Sequence, residues 1–177
     1  MCLLCGGPRR VPRAQLQIGA ARLSLHDIRR VEEAKQLIAV NAEGLTIAHK
    51  HGCCNVVENL VGSLFWRFTG ILKALGIIGA ARVVCDYCAW LGWEVAAGPC
   101  APWRKRTRFD GTLPRLSELG TLCGSSKKCR FTGKRHVVPQ GRNAAGVALS
   151  AVAEPYLYGL CALVANLSAA AAAAVRP

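Results

Sequence analysis

The sequence predicts a mainly α protein: a small helical hairpin or bundle, then a long irregular basic segment, then an apolar C-terminal helix. Three observations predict it. Apolar residues recur at spacings of three and four across 24–41 and again across 55–82. That periodicity is lost over 99–142, where prolines and glycines punctuate eleven basic residues. From 155 to 175, 21 consecutive residues carry no charge. The chain divides accordingly into a basic N-terminal arm (1–23), a helical apolar region (24–98), a basic, loop-rich or disordered linker (99–142) and an apolar C-terminal region (143–177).

The arm comes first. Six arginines lie between Arg9 and Arg30, and the first acid is Asp27. Such an Arg-rich, acid-poor stretch reads as a plain amphipathic helix or as a mitochondrial transit peptide, although the serines usual in the latter are missing. No apolar run suits a secretory signal, and Cys2 after the initiator Met is incompatible with myristoylation.

Ser24 is a fair N-cap for the first helix. Ile28, Val31, Ala34, Leu37 and Ile38 give it an apolar stripe, and Asn41 and Gly44 are expected to end it. Residues 55–82 read as a second, longer helix. Val57, Leu60, Leu64, Phe68, Ile71, Leu75 and Ile78 lie in a broad stripe that suits a core or a membrane interface. Its glycines each weaken it by about 1 kcal/mol relative to alanine. Val83-Val84-Cys85 and 90–95 read alternatively as short strands.

The C-terminal segment is the candidate membrane anchor, through Tyr156, Leu157, Tyr158, Leu160, Leu163, Val164 and Leu167. About 20 apolar residues cross a hydrocarbon layer of roughly 30 Å. The basic block upstream would stay cytosolic. Against a span, alanine is weakly hydrophobic and Asn166 sits in the middle; the other reading is an Ala-rich helix packed in a core.

Charge and thiols suggest what the chain meets. Lys and Arg total 23 against ten acids, a net charge of +13. Eleven bases and two acids in 99–142 give that segment +9. Two clusters stand out as polyanion-binding candidates: Arg104, Lys105, Arg106 and Arg108, bracketed by Trp103 and Phe109, and Lys127, Lys128, Arg130, Lys134 and Arg135, around Phe131. Cations neutralise phosphates and aromatics stack on unpaired bases, so nucleic acid is one class of partner. Anionic lipid is the other.

Ten cysteines and four histidines make the chain cysteine-rich. His49, His51, Cys53 and Cys54 crowd four candidate zinc ligands into six residues, with Cys2 and Cys5 available to complete a site. Cys85-x-x-Cys88 lacks the strand-to-helix context of a redox motif. Cys123, Cys129 and His136 have spacings that fit no standard zinc module. No cofactor is expected beyond that candidate zinc.

No nucleophile triad, phosphate-binding glycine loop or carboxylate pair emerges, so a non-enzymatic protein is expected. The primary expectation is a membrane-associated interaction or regulatory protein of the mitochondrion or endoplasmic reticulum, meeting lipids and protein partners. The alternative is a nuclear basic protein that binds RNA or DNA through the two clusters. A third reading is a poorly folded orphan product, suggested by 16 arginines to seven lysines and by the run Ala169 to Ala174.

Overall fold

Ser24 opens helix α1 (Leu25–Lys50), its hydroxyl oxygen accepting the backbone N–H of Asp27. The predicted stop at Asn41 and Gly44 is overrun by two more turns. The Asn41 side-chain amide donates to the Leu37 carbonyl one turn back, so it stays inside the helix. The C-terminal half of α1 earns its burial from helix α2 (Thr69–Ile77): Ile38, Ala42 and Leu45 pack with Ile71, Ala74 and Leu75. The computed structural model describes residues 24–93, 102, 103, 105–124, 127–137, 146 and 157–174. The N-terminal arm, with its transit-peptide reading, lies outside them, as do Arg104 and Tyr156.

The fold is not the helical bundle expected but a mixture of helices and sheet. A three-stranded antiparallel sheet runs through it, in the order β1 (Val56–Leu60), β3 (Arg106–Gly111), β2 (Ala81–Asp86). The long helix expected over 55–82 is instead β1, a 3₁₀ turn (Leu64–Arg67), α2 and the start of β2. Its apolar runs are short, and short runs cannot be told from strands by periodicity. Punctuation decides. Gly79 at φ 63° closes α2, while the N–H of Ala80 donates to the Leu75 carbonyl at 3.0 Å and the chain turns into β2. The strand reading of 83–85 is right, whereas 90–95 begins in a 3₁₀ segment (Tyr87–Trp93). The expected irregular linker likewise contains β3, the central strand.

Pleating gives the sheet two faces with separate cores. On one, Val56, Val83, Cys85 and Phe109 join Leu113, Leu116 and Leu119 and the C-terminal helix α3 (Tyr158–Ala174). On the other, Val57 joins α1, α2, Phe65 and Trp66. The second face also carries charge. Arg108 and Asp110 are buried and paired with each other, and Arg82 reaches Asp110 at 3.3 Å. The Arg108 guanidinium lies 4.0 Å above the Trp66 ring, whose N–H donates to the Leu60 carbonyl at 2.8 Å. Each buried polar group of this stack thereby has a partner, which is what makes its burial tolerable.

Helix α3 corrects the anchor expectation. It is 17 residues long, and no helix among the described residues is long and apolar enough to cross a membrane. Leu157, Leu160 and Leu167 are buried in the sheet core, and Leu163 and Val164 pack partly against it. Tyr158 is exposed. The leucines form one stripe that the protein itself covers, and the other faces are largely alanine, which contributes little to a bilayer.

Candidate metal centre

Four side chains from three separate stretches meet beside the end of β2. They are Cys88, Cys123, Cys129 and His136, whose ligand atoms all lie within 4.8 Å of one another. Cys88 comes from the first turn of the 3₁₀ segment after β2. Cys123 comes from the stretch that follows the 3₁₀ turn Leu116–Leu119. Cys129 and His136 flank a small hairpin. Its closing bonds run from the N–H of Cys129 to the Lys134 carbonyl (2.8 Å) and from that of His136 to the Lys127 carbonyl (3.0 Å). The tip turns through Gly133 at φ 67°, a conformation that glycine adopts without penalty. Val137 ties the hairpin down by donating to the Pro102 carbonyl at 3.1 Å.

Asp86 organises this meeting. Its N–H donates to the Thr121 carbonyl at 3.0 Å, and its carboxylate accepts the N–H of Cys123 at 2.9 Å. Arg106 grips the same carboxylate through Nε at 2.7 Å and Nη2 at 3.0 Å. Burial works to raise the Asp86 pKa, but Arg106 and the N–H groups of Cys123 and Gly124 outweigh it and hold the carboxyl below its ordinary value.

One ligand–ligand distance matches a tetrahedral ion. Metal–sulfur bonds of about 2.3 Å and metal–nitrogen bonds of about 2.05 Å, at tetrahedral angles, place sulfur and nitrogen about 3.6 Å apart. Cys123 Sγ and His136 Nε2 are 3.6 Å apart. The three thiols are almost fully buried, with Cys88 at 1%, Cys123 at 4% and Cys129 at 1% exposure. The Cys123 sulfur accepts the N–H of Arg130 at 3.3 Å. Burial pushes the Cys129 thiol up, but the Thr132 hydroxyl and the N–H groups of Phe131 and Thr132 bring it below its ordinary value. Burial raises Cys88 as well, and there nothing outweighs it: the thiol lies well above the ordinary range, with the neighbouring sulfurs adding to it. Three sulfurs and one imidazole can hold a metal ion here.

The other predicted sites fall elsewhere. His49, His51, Cys53 and Cys54 are exposed where α1 ends, and they are not the group that converges among the described residues. The first basic cluster is largely engaged in the fold: Lys105 lies 4.1 Å over the Tyr87 ring, Arg106 holds Asp86, and Arg108 is buried with Asp110. The second cluster is displayed. Lys127, Lys128, Arg130, Lys134 and Arg135 are all exposed on the hairpin that carries Cys129 and His136.

Sequence reasoning noted three of the four ligands together but had no reason to join them to Cys88. Its partner in the C-x-x-C pair, Cys85, points into the sheet core instead. The 34 residues between Cys88 and Cys123 exceed the gaps of familiar zinc patterns. The legible signal was the short spacing of Cys123, Cys129 and His136 around a glycine turn. No protein-family model, curated protein or solved structure matches the chain.

Proposed function

We propose that Cys88, Cys123, Cys129 and His136 bind Zn²⁺ in a closed structural site, and that the chain is a non-enzymatic interaction module stapled by that ion. The convergence of three buried thiols and a half-buried imidazole from distant stretches carries the reading. Zinc fits best because three thiolates and an imidazole in tetrahedral array form its usual structural set. Four protein ligands leave no position for a substrate, which favours a structural role over catalysis. The ion would join the end of β2, the 121–124 stretch and the hairpin, in addition to the core that Cys88, Cys123 and Cys129 already share. Ligand assembly then becomes folding energy.

The test is metal analysis of the purified chain under reducing conditions, with cobalt substitution. The expected result is one zinc per chain and a cobalt spectrum with thiolate charge-transfer and tetrahedral ligand-field bands. Cys123→Ser and His136→Ala should each weaken or abolish them. A wild-type chain that holds no more metal than those variants overturns the proposal.

A further inference from the structure

We infer that the hairpin 127–137 is a surface for single-stranded nucleic acid, with its cations on the phosphates and Phe131 under a base. The inference rests on the zinc reading, because two of the four ligands, Cys129 and His136, sit on this hairpin.

Three observations carry it. First, Lys127, Lys128, Arg130, Lys134 and Arg135 are exposed within nine residues, and the segment 127–137 contains no acid. Second, among the described residues the ion pairs engage Arg29, Lys35, Arg82, Arg106, Arg108 and Arg115, and none engages these five. The hairpin's charge is therefore available to an outside anion, unlike that of Arg106 and Arg108. Third, Phe131 is 43% exposed at the tip, and the Arg130 guanidinium lies 4.7 Å from its ring centroid. A ring flanked by a planar cation offers a flat platform to an unpaired base.

The shape favours a single strand over the alternatives. Bases in a duplex are already stacked and present no face to Phe131. A membrane-inserting tip needs several apolar side chains, and this tip is Arg130-Phe131-Thr132-Gly133, with one. The hairpin is closed by a single bridge, Lys128 to Arg135, so the ion at its base would hold the cations in register. Binding should then depend on the metal without the nucleic acid touching it.

The experiment uses the zinc-loaded full chain and fluorescence anisotropy with a labelled oligouridylate. An oligothymidylate distinguishes RNA from DNA, a duplex of equal length tests strandedness, and phosphatidylserine vesicles test the lipid source. The expected result is tighter binding to single strands than to duplex or vesicles, weakening with salt by a log–log slope of about −0.7 per phosphate contact. Phe131→Ala should weaken it about tenfold. Replacing all five hairpin cations by glutamine should abolish it with zinc content unchanged. Chelation should weaken it too. A zinc-loaded chain that leaves both oligonucleotides free, or prefers vesicles or duplex, overturns the inference and leaves the metal centre standing. So does unchanged binding in the zinc-loaded glutamine variant. A chain that takes up no zinc fails the metal reading separately, and binding by that metal-free chain overturns the dependence on the ion.

Discussion

Asp86 accepts the backbone N–H of Cys123 at 2.9 Å, joining the stretch that carries a candidate metal ligand to the last residue of β2. The aspartate touches no metal-ligand sulfur in this contact; it positions the chain that carries one. Asp86→Ala removes that acceptor and leaves Arg106, about half exposed, to water. Zinc affinity should fall about 10- to 100-fold, the usual effect of losing such a supporting group. Competition with a chromophoric chelator measures it. Asp86→Asn, which keeps one acceptor oxygen, should lose less.

Asp110 pairs with Arg108 on the sheet face that packs against α1 and α2, in contact with Arg82 as well. Asp110→Ala strands a buried guanidinium and should cost about 3–5 kcal/mol. Asp110→Ala combined with Arg108→Met removes both charges and should recover much of that loss. Urea midpoints of the zinc-saturated proteins decide it. Equal loss in single and double variants would show that packing on Trp66, rather than the stranded charge, dominates.

Leu160 and Leu167 are 1% and 3% exposed in the core under α3. Leu160→Ala and Leu167→Ala should each lower stability by about 2–5 kcal/mol. Thermal unfolding reads this directly. If both melt like the parent chain, α3 is not held by the sheet core.

The thiols should differ sharply in reactivity. Cys53 and Cys54 are exposed, whereas burial pushes Cys85 up to about 12. At pH 8 only about one Cys85 in ten thousand would be thiolate, the reactive form. Iodoacetamide should modify Cys53 and Cys54 in minutes and Cys85 only after unfolding, as read by peptide mass spectrometry. Unfolded Cys85 ionises near pH ~8.5, so the fold should lose stability as pH rises from there toward that higher value. Chelation should expose Cys88, Cys123 and Cys129 to the same reagent.

At Gly111 a Cβ would lie 2.2 Å from the Asn55 carbonyl oxygen and 2.7 Å from the Val56 Cα. Gly111→Ala should therefore force β1 and β3 apart where they pair and cost about 1–3 kcal/mol. Loss of amide protection confined to 56–60 and 107–111 in hydrogen exchange would localise the damage; an unchanged melting curve would refute it.

The sequence by itself determined the start of α1 with its cap at Ser24 and the helical character of 158–174, and it offered the strand at 83–85 as one of two readings. Each is a local property, written in period, cap or charge over a few adjacent residues. Tertiary structure alone decided the rest. β1 and β3 pair across about fifty residues, so no local period announces them, and the central strand reads as a basic cluster until Asp86 and Asp110 are seen to hold its arginines. The apolar stripe of α3 looks the same in sequence whether lipid or a sheet covers it; the core formed around Phe109 and Leu119 decides. Cys88 meets Cys123, Cys129 and His136 because Asp86 binds the returning chain beside the end of β2. Local periodicity reports which face of an element is apolar. It does not report which distant element completes that face, and the metal centre depends on that completion.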